Sequence, residues 1–263
     1  MIVCRSEAEI AKMRTANQLV ADVLAAVEAV VAVGVSTLDL DVLAERLVRD
    51  GGAEPAFKGY RGFPATLCTS INEEVVHGIP SASRLLADGD VVSIDMGVKM
   101  GGYYGDSAVT VPVGRVPEQT LALLRATRES LDRAIEQVQV GGRLSDVSHA
   151  VQAWVERHGF SVVREFVGHG IGERLHEDPQ IPNYGPPGRG PKLAAGMVLA
   201  IEPMVAMGRP ETKVLRDGWT AVTRDGSVAA HFEHTVAVTE AGPLVLTARR
   251  AGGTAGGDAG DGR

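Results

Sequence analysis

Apolar residues recur at helical spacing in two stretches of the chain, and each stretch is followed by a second, shorter amphipathic segment. The first pattern begins behind Ser6-Glu-Ala-Glu9, which is typical of a capping box. Its apolar positions are Ile10, Met13, Val20, Leu24, Val27 and Val31. We predict a second helix from about Leu38 to Arg49, ending at Gly51-Gly52. The later stretch predicts a similar pair of helices over about 117–138 and 145–158.

Apolar runs rich in β-branched residues follow each helix pair and predict strands over about 91–110 and 197–238. Residues 86–95 (LADGDVVSID) are similar to residues 193–202 (LAAGMVLAIE) at an offset of 107, and residues 106–111 match 233–238 at an offset of 127. Chance similarity between ordinary strands is the alternative, but the matches occur in one order. We therefore predict an α+β fold of two duplicated halves related by a pseudo-twofold axis, about 6–113 and 117–240. Their helices would cover one curved antiparallel sheet.

Composition narrows the class of protein. The chain has 263 residues, 44% of them hydrophobic, and a net charge of −7, which argues against broad binding to nucleic acid. Its longest apolar stretch, 19–33, is interrupted by Asp22 and Glu28, so we expect neither a membrane span nor a membrane partner. Two cysteines and no signal-peptide pattern favour a cytoplasmic location. One catalytic domain is expected over 1–248, followed by a disordered glycine-rich tail over 249–263.

Two carboxylates flank the predicted hairpin in the first half. A turn centred between Met100 and Gly101 would place Asp95 directly opposite Asp106 on one face of the ribbon. Two facing carboxylates repel each other, and a bridging cation would resolve that conflict. An exposed pair screened by water is the alternative that this motif alone leaves open.

The repeat adds two more acids to the same arrangement. Glu202 and Glu233 occupy the places of the first pair, and twofold symmetry would bring four carboxylates to one centre. Two divalent cations would neutralise their charge. Oxygen ligands with a single imidazole suit catalytic Mn, Fe, Co or Zn, whereas a structural zinc site prefers sulfur and histidine ligands. The best imidazole candidate is His169, in a glycine-rich segment that we expect to be a loop.

These residues resemble a known family. In chain order, the metal ligands of the type I methionine aminopeptidases are similar to Asp95, Asp106, His169, Glu202 and Glu233. Further similar strings are NEEVVHGIP (72–80), GHGIG (168–172), HEDPQ (176–180), IEPM (201–204) and EHT (233–235). The resemblance covers about residues 6–247 and implies the pita-bread fold. We expect the short bacterial form, without the zinc-finger extension of many eukaryotic members.

The resemblance also implies a role for each metal ligand. Asp106 and Glu233 correspond to carboxylates that bridge two divalent ions. Asp95 corresponds to a ligand of one ion, and His169 with Glu202 to ligands of the other. The ions, which the sequence leaves open as Co, Mn, Fe, Zn or Ni, would polarise the scissile carbonyl and supply hydroxide near neutral pH. Glu202 resembles the general base of that reaction.

Two histidines outside the metal set resemble residues that touch the substrate. His77 corresponds to the residue that contacts the scissile amide nitrogen, and His176 to the one that hydrogen-bonds the carbonyl oxygen and its oxyanion. The methionine pocket is implied to be lined by Tyr60, Phe63, Cys68 and Trp219, with Phe57 and Leu175 as further contributors. His231 receives no role.

The predicted function is removal of initiator methionine from nascent polypeptides whose second residue is small, at the ribosome, by a monomeric dinuclear metalloenzyme. A proline-directed peptidase, either prolidase or aminopeptidase P, is similar in fold and ligands, but those relatives usually carry an additional N-terminal domain. A non-catalytic binding protein with this fold is the second alternative. The complete set of five ligands and two accessory histidines argues against it.

Overall fold

The computed structural model describes residues 1–249 of the chain. Its α-helices are α1 (Glu7–Glu28), α2 (Thr37–Asp50), α3 (Glu118–Glu136) and α4 (Leu144–Arg157), and Tyr60–Gly62 forms a short 3-10 helix. Its strands are β1 (Glu54–Pro55), β2 (Leu67–Ile71), β3 (Glu74–Val76), β4 (Val91–Met100), β5 (Tyr103–Pro112), β6 (Ser161–Val162), β7 (Gly168–Gly170), β8 (Glu177–Ile181), β9 (Val198–Ile201), β10 (Met204–Ala206), β11 (Thr212–Val214), β12 (Ala221–Thr223), β13 (Ala229–His231), β14 (Glu233–Thr239) and β15 (Gly242–Val245).

The helix predictions are confirmed, because the periodic apolar faces and the end signals agree with each other. The second, third and fourth helices lie within two residues of their predicted bounds. At the first, Ser6 and Glu9 form the predicted capping box. This helix ends at Glu28, before its apolar pattern does, and Val31 packs against the core from the loop that follows.

One antiparallel sheet of nine strands runs through the middle of the fold. Its order is β1-β4-β5-β14-β9-β7-β8, with β2 also paired to β4 and β15 to β14. Strands β5 and β14 meet at its centre, so the sheet joins the first half of the chain to the second. In the described part of the chain, two three-stranded sheets, β13-β10-β6 and β11-β12-β3, lie beside it.

Each helix pair covers its own apolar core. Buried residues of α1 and α2 pack against Leu67 of β2 and Ile94 of β4, and they include Val20, Leu24, Leu40 and Val48. Buried residues of α3 and α4 pack against Leu199 of β9 and Val236 of β14, and they include Leu123, Leu131, Val147 and Val151. The two halves therefore bury apolar area separately and share the sheet.

Local hydrogen bonds repeat between the halves at the offset of 107 residues seen in the sequence. The amide of Gly34 donates to the carbonyl of Leu86 over 2.8 Å, and the amide of Gly141 donates to the carbonyl of Leu193 over 2.8 Å. Isolated bridges repeat in the same way, Ser36 with Leu85 and Arg143 with Lys192. These pairs support the predicted duplication.

The predicted register of the first hairpin is wrong by two residues. The turn residues are Gly101-Gly102, with φ of 59° and 86°, as the type I′ turn of a two-residue hairpin requires. Asp95 therefore lies opposite Ala108, and Asp106 opposite Gly97. Positions two apart on a strand share a face, so both carboxylates still point to one side, diagonally instead of directly opposed.

Most of the predicted tail, residues 250–263, lies outside the described residues, and the assignment of one domain to 1–248 stays a prediction. Within residues 1–249, no helix combines the length and the apolarity needed to cross a lipid bilayer.

Candidate metal centre

The five predicted ligands come from five different strands or strand ends. Asp95 lies in β4 and Asp106 in β5, while Glu233 begins β14. His169 is the middle residue of β7, so the loop expected there is wrong, and Glu202 directly follows β9. All five side chains line one cavity of about 290 Å³.

Two glycines allow β7 to fit between its neighbours. A Cβ atom on Gly168 would lie 2.4 Å from the carbonyl oxygen of Ala200, and one on Gly170 would lie 2.1 Å from that of Asp178. Neither distance is tolerable for a side-chain carbon. The glycines on both sides of His169 therefore bring its backbone close to two strands and aim the imidazole into the cavity.

Hydrogen bonding orients the His169 ring. Its Nδ1 lies 2.9 Å from the carbonyl oxygen of Gly170, which can only accept, so Nδ1 carries the proton. The lone pair is then on Nε2, which lies 3.9 Å from Asp106 Oδ2 and 3.6 Å from Glu202 Oε1. Burial lowers the pKa of this imidazole to about 4, so the ring is neutral, as a metal ligand must be.

Side-chain hydrogen bonds hold the backbone at three of the carboxylates, two of them from neighbouring strands. The hydroxyl of Thr235 donates to the carbonyl of Asp106 over 2.8 Å, and the hydroxyl of Ser107 donates to the carbonyl of Glu233 over 2.6 Å. These two bonds cross between β5 and β14 in opposite directions. At the third carboxylate, the side-chain amide of Asn183 donates to the backbone carbonyl of Glu202 over 2.9 Å.

The four carboxylates lie together, Asp106 and Glu233 buried and Asp95 and Glu202 partly buried. Within residues 1–249 their only ion-pair contacts are with His169 and His231, so no lysine or arginine compensates their mutual repulsion. Burial raises the pKa of Asp95 to about 7. Burial, with repulsion from Glu233 and Asp95, raises the pKa of Asp106 well above its usual value. The pKa of Glu202 and that of Glu233 rise for the same reasons, burial first. Without a cation, the cluster is therefore stable only when it holds protons.

Unpartnered oxygens test whether these residues fit a metal. Buried oxygens of Asp95, Asp106 and Glu233 have no hydrogen-bond partner in the described structure. Donor atoms of Asp106, His169 and Glu233 all lie within 4.8 Å of one another. Buried carboxylate oxygens without partners are costly unless they are protonated or coordinate a cation, so the donor set fits divalent metal.

His176 lies at the mouth of the cavity, beside the cluster. Its Nδ1 lies 2.9 Å from the hydroxyl of Tyr60, and the two rings stack with centroids 5.3 Å apart. The ring centroid of His169 is 4.3 Å away. Partial burial, with repulsion from the Arg61 guanidinium, lowers the pKa of His176 to about 3. The imidazole is neutral and held by one nitrogen, which leaves Nε2 available for a ligand.

His77 enters the cavity from a constrained turn after β3. Its φ of 62° is in the left-handed region, and the next residue is Gly78, where a Cβ atom would lie 2.1 Å from the carbonyl oxygen of Thr69. The imidazole packs edge-to-face on Phe166 and Trp219, with centroids 5.5 and 6.2 Å away. Packing and backbone therefore fix this ring together.

An apolar recess adjoins the polar cluster. The rings of Phe63 and Trp219 meet edge-to-face with centroids 5.2 Å apart. The buried side chain of Cys68 packs with Phe63, and burial raises the pKa of its thiol, so that it stays neutral. Every residue that the sequence predicted for the pocket lines this cavity: Phe57, Tyr60, Phe63, Cys68, Leu175 and Trp219.

Several lining residues were missed by the sequence analysis: Arg61, Val76, Glu165, Phe166, Val167 and Met204. His231 also lines the cavity, 99% removed from solvent and with Nε2 3.8 Å from Glu202 Oε2. The alternation of side chains along a strand could have predicted two of these lining residues from the sequence. His231 precedes Glu233 by two positions and Met204 follows Glu202 by two, which favours a shared face.

Comparisons with known proteins agree with this geometry. The model of metallopeptidase family M24 matches residues 11–240. Methionine aminopeptidase 1 of Bacillus subtilis is 53% identical over 247 residues, which cover 94% of this chain and 99% of the relative. The chain belongs to metallopeptidase family M24. The crystal structure of a methionine aminopeptidase from Thermotoga maritima is 49% identical to this M24 chain and has a TM-score of 0.93. The match covers 95% of this chain and 100% of the Thermotoga maritima chain.

Family membership confirms the resemblance to the bacterial type I methionine aminopeptidases. This M24 protein is a metallo-aminopeptidase, a hydrolase that needs a divalent metal cofactor. The prolidase of Pyrococcus furiosus has a TM-score of 0.77 at 23% identity, with 94% of this chain covering 66% of that one. That likeness concerns the fold alone, and it confirms the pita-bread fold that both groups share.

Proposed function

We propose that this M24 peptidase removes the initiator methionine from polypeptides whose second residue is small. One observation carries the proposal: the apolar recess at Phe63, Cys68 and Trp219 and the buried carboxylate cluster open into the same cavity. An unbranched thioether side chain fits an aromatic and sulfur-lined recess. The peptide bond behind it would then lie at the carboxylates.

Two divalent cations are the proposed cofactor. Four carboxylates carry a charge that two such ions balance, and the proposed ligands are Asp95, Asp106, His169, Glu202 and Glu233. When bound, the ions would polarise the scissile carbonyl and lower the pKa of the attacking water. The protein contributes a fixed His169 tautomer and backbones braced by neighbouring hydroxyls. Geometry of this kind keeps the ligands in place through turnover.

Three side chains are proposed to move protons or stabilise charge. Glu202 accepts the proton of the attacking water; burial raises the pKa of this carboxyl well above its usual value, which makes it a stronger base than an exposed glutamate. His176 donates through Nε2 to the carbonyl oxygen as negative charge develops there, while Tyr60 holds Nδ1. His77 contacts the departing nitrogen from its constrained turn.

The proposed substrates are nascent polypeptide N-termini, met in the cytoplasm at the ribosome by a monomeric enzyme. The similarity to bacterial methionine aminopeptidases supports the choice of substrate. Two unpaired cysteines are compatible with a reducing compartment. Cell fractionation and cosedimentation with translating ribosomes test location and partner, and sedimentation equilibrium tests the oligomeric state.

Peptide assays test the activity. The protein should release methionine from Met-Ala-Ser, should release much less from Met-Lys-Ser, and should leave Ala-Pro-Ser intact. Exhaustive chelation should abolish turnover, and titration with Co²⁺ or Mn²⁺ should restore it at two ions per chain. Preferential cleavage of Ala-Pro-Ser would support a proline-directed peptidase instead, and full activity in verified metal-free protein would refute the dinuclear proposal.

A further inference from the structure

His231 is a buried histidine at the active cavity that the proposed function does not use. It ends β13, is 1% exposed, and lines the same cavity as the carboxylates. Its Nε2 is buried, and no hydrogen-bond partner satisfies it within residues 1–249. A buried polar nitrogen without a partner is costly, so its position calls for a physical reason.

The carboxylate of Glu202 lies between two imidazoles. Oε1 is 3.6 Å from Nε2 of His169, and Oε2 is 3.8 Å from Nε2 of His231. The second distance exceeds an N–H···O hydrogen bond by about 1 Å, so the contact would require the Glu202 side chain to rotate toward His231. A carboxylate only accepts, so His231 would be the donor.

We propose that His231 is a positioning residue, whose Nε2–H donates to Glu202 Oε2 and so keeps Oε1 directed toward His169 and the metal. This inference rests on the proposed role of Glu202 as a metal ligand. It assigns His231 no direct coordination, because the proposed ligands already comprise four carboxylates and the His169 imidazole, and Nε2 of His231 faces Glu202 Oε2.

The backbone of His231 is held well enough for such a role. Its N–H donates to the hydroxyl of Thr110 over 2.8 Å, and its carbonyl accepts from the same hydroxyl over 2.7 Å. The hydroxyl of Thr110 has a single proton, so the neighbouring Ser93 hydroxyl, 2.8 Å away, donates to it. One side chain therefore fixes both backbone groups of His231.

Metal affinity measures this role directly. Hydrogen-bond partners of metal ligands typically contribute on the order of 10–100-fold in affinity. His231→Leu keeps a buried apolar side chain but has no donor, so its affinity for Co²⁺ should fall by that factor. His231→Gln retains an N–H donor and should stay within about threefold of the unchanged protein. Retention of Co²⁺ affinity in His231→Gln would show that tight binding requires the N–H donor and not the imidazole ring.

The experiment is a chelator competition with Co²⁺ on metal-stripped full-length protein, read by visible absorption, with circular dichroism to verify folding. His149→Leu, at an exposed histidine outside the cavity, is the control for surface binding. His169→Gln is the reference for a lost ligand and should weaken binding and change the Co²⁺ bands. His231→Leu should weaken binding and leave the shape of the bands unchanged.

Two results would overturn the proposed role of His231 and leave the proposed function intact. In one, His169→Gln loses affinity while His231→Leu binds Co²⁺ as tightly as the unchanged protein. In the other, both His231 variants change the bands as His169→Gln does, which would make His231 a ligand. If His169→Gln retained full affinity, the ligand set of the proposed function would fail, and the role of His231 with it.

Discussion

The side-chain hydroxyl of Thr110 holds the backbone of His231, a residue that lines the cavity. It accepts from the backbone N–H of His231 and donates to the carbonyl of the same residue. Thr110 is 4% exposed, so water has little access to either group. Thr110→Val keeps the shape of the side chain and removes only the hydroxyl.

The magnitude follows from the two backbone groups that lose their partner. A buried donor or acceptor left unsatisfied costs about 1–3 kcal/mol, so Thr110→Val should lower the free energy of unfolding by roughly 2–6 kcal/mol. At about 2–4 °C per kcal/mol for a chain of this size, the melting temperature should fall by roughly 4–24 °C. Relaxation around the new methyl group favours the lower part of that range.

A matched substitution separates the hydrogen bonds from the change of residue type. Thr69 is also buried, at 2% exposure, but its hydroxyl has no partner within the described structure. Thr69→Val should therefore leave the free energy of unfolding unchanged or raise it by up to about 1 kcal/mol. Urea unfolding of metal-stripped protein is the assay, because bound metal adds its own stabilisation. Equal losses in the two variants would refute this reasoning.

Four further predictions concern the site and the chain end. His176→Ala should keep full metal content but lower kcat by on the order of 100-fold, because one donor to the oxyanion is lost; loss of metal in elemental analysis would contradict this. The folded pKa of Asp95, about 7, is above that of an unfolded aspartate, so the folded state binds more protons and its stability falls as pH rises through 7. Metal-stripped protein should therefore melt at lower temperature at pH 8 than at pH 6, and Asp95→Asn should flatten that trend; an unchanged slope would refute the cause. Gly78→Ala should lower the free energy of unfolding by about 1–3 kcal/mol in urea, since its Cβ would clash with the Thr69 carbonyl; a neutral effect would contradict the described turn. Truncation before Ala251 should change neither melting temperature nor turnover, because the removed segment has no large apolar side chain.

Helices and fold class could be predicted from the sequence because their signals are local and redundant. Apolar period, caps and terminal glycines agree at each helix, and the repeat supplies each half with a second copy of the pattern. The hairpin register depended on one turn, and the prediction centred it between Met100 and Gly101. Two adjacent glycines with positive φ form the turn one position later, which shifts every cross-strand pair by two residues.

The identity of the residues at the candidate site was also predictable, whereas their distances and hydrogen-bond partners were not. Resemblance brought together residues from five strands, and the structure places them in one cavity. Distances and hydrogen-bond partners belong to tertiary packing. No local pattern shows that the Tyr60 hydroxyl reaches His176, 116 residues away, or that Thr110 holds His231. These contacts join segments far apart in the chain, so they become visible only once the sheet is formed.

Protons and metal ions are alternative occupants of the carboxylate cluster. The sheet fixes the cluster through bonds to main-chain carbonyls, from Thr235 to Asp106 and from Ser107 to Glu233, so the carboxylates have little freedom to separate. Their repulsion must then be relieved by binding a positive charge, either as protons at low pH or as divalent ions at higher pH. Each ion bound therefore displaces protons, and metal affinity should rise with pH across the range in which the carboxylates titrate. Burial and mutual repulsion raise the carboxylate pKa values, and the same crowding of buried acids favours divalent metal near neutral pH.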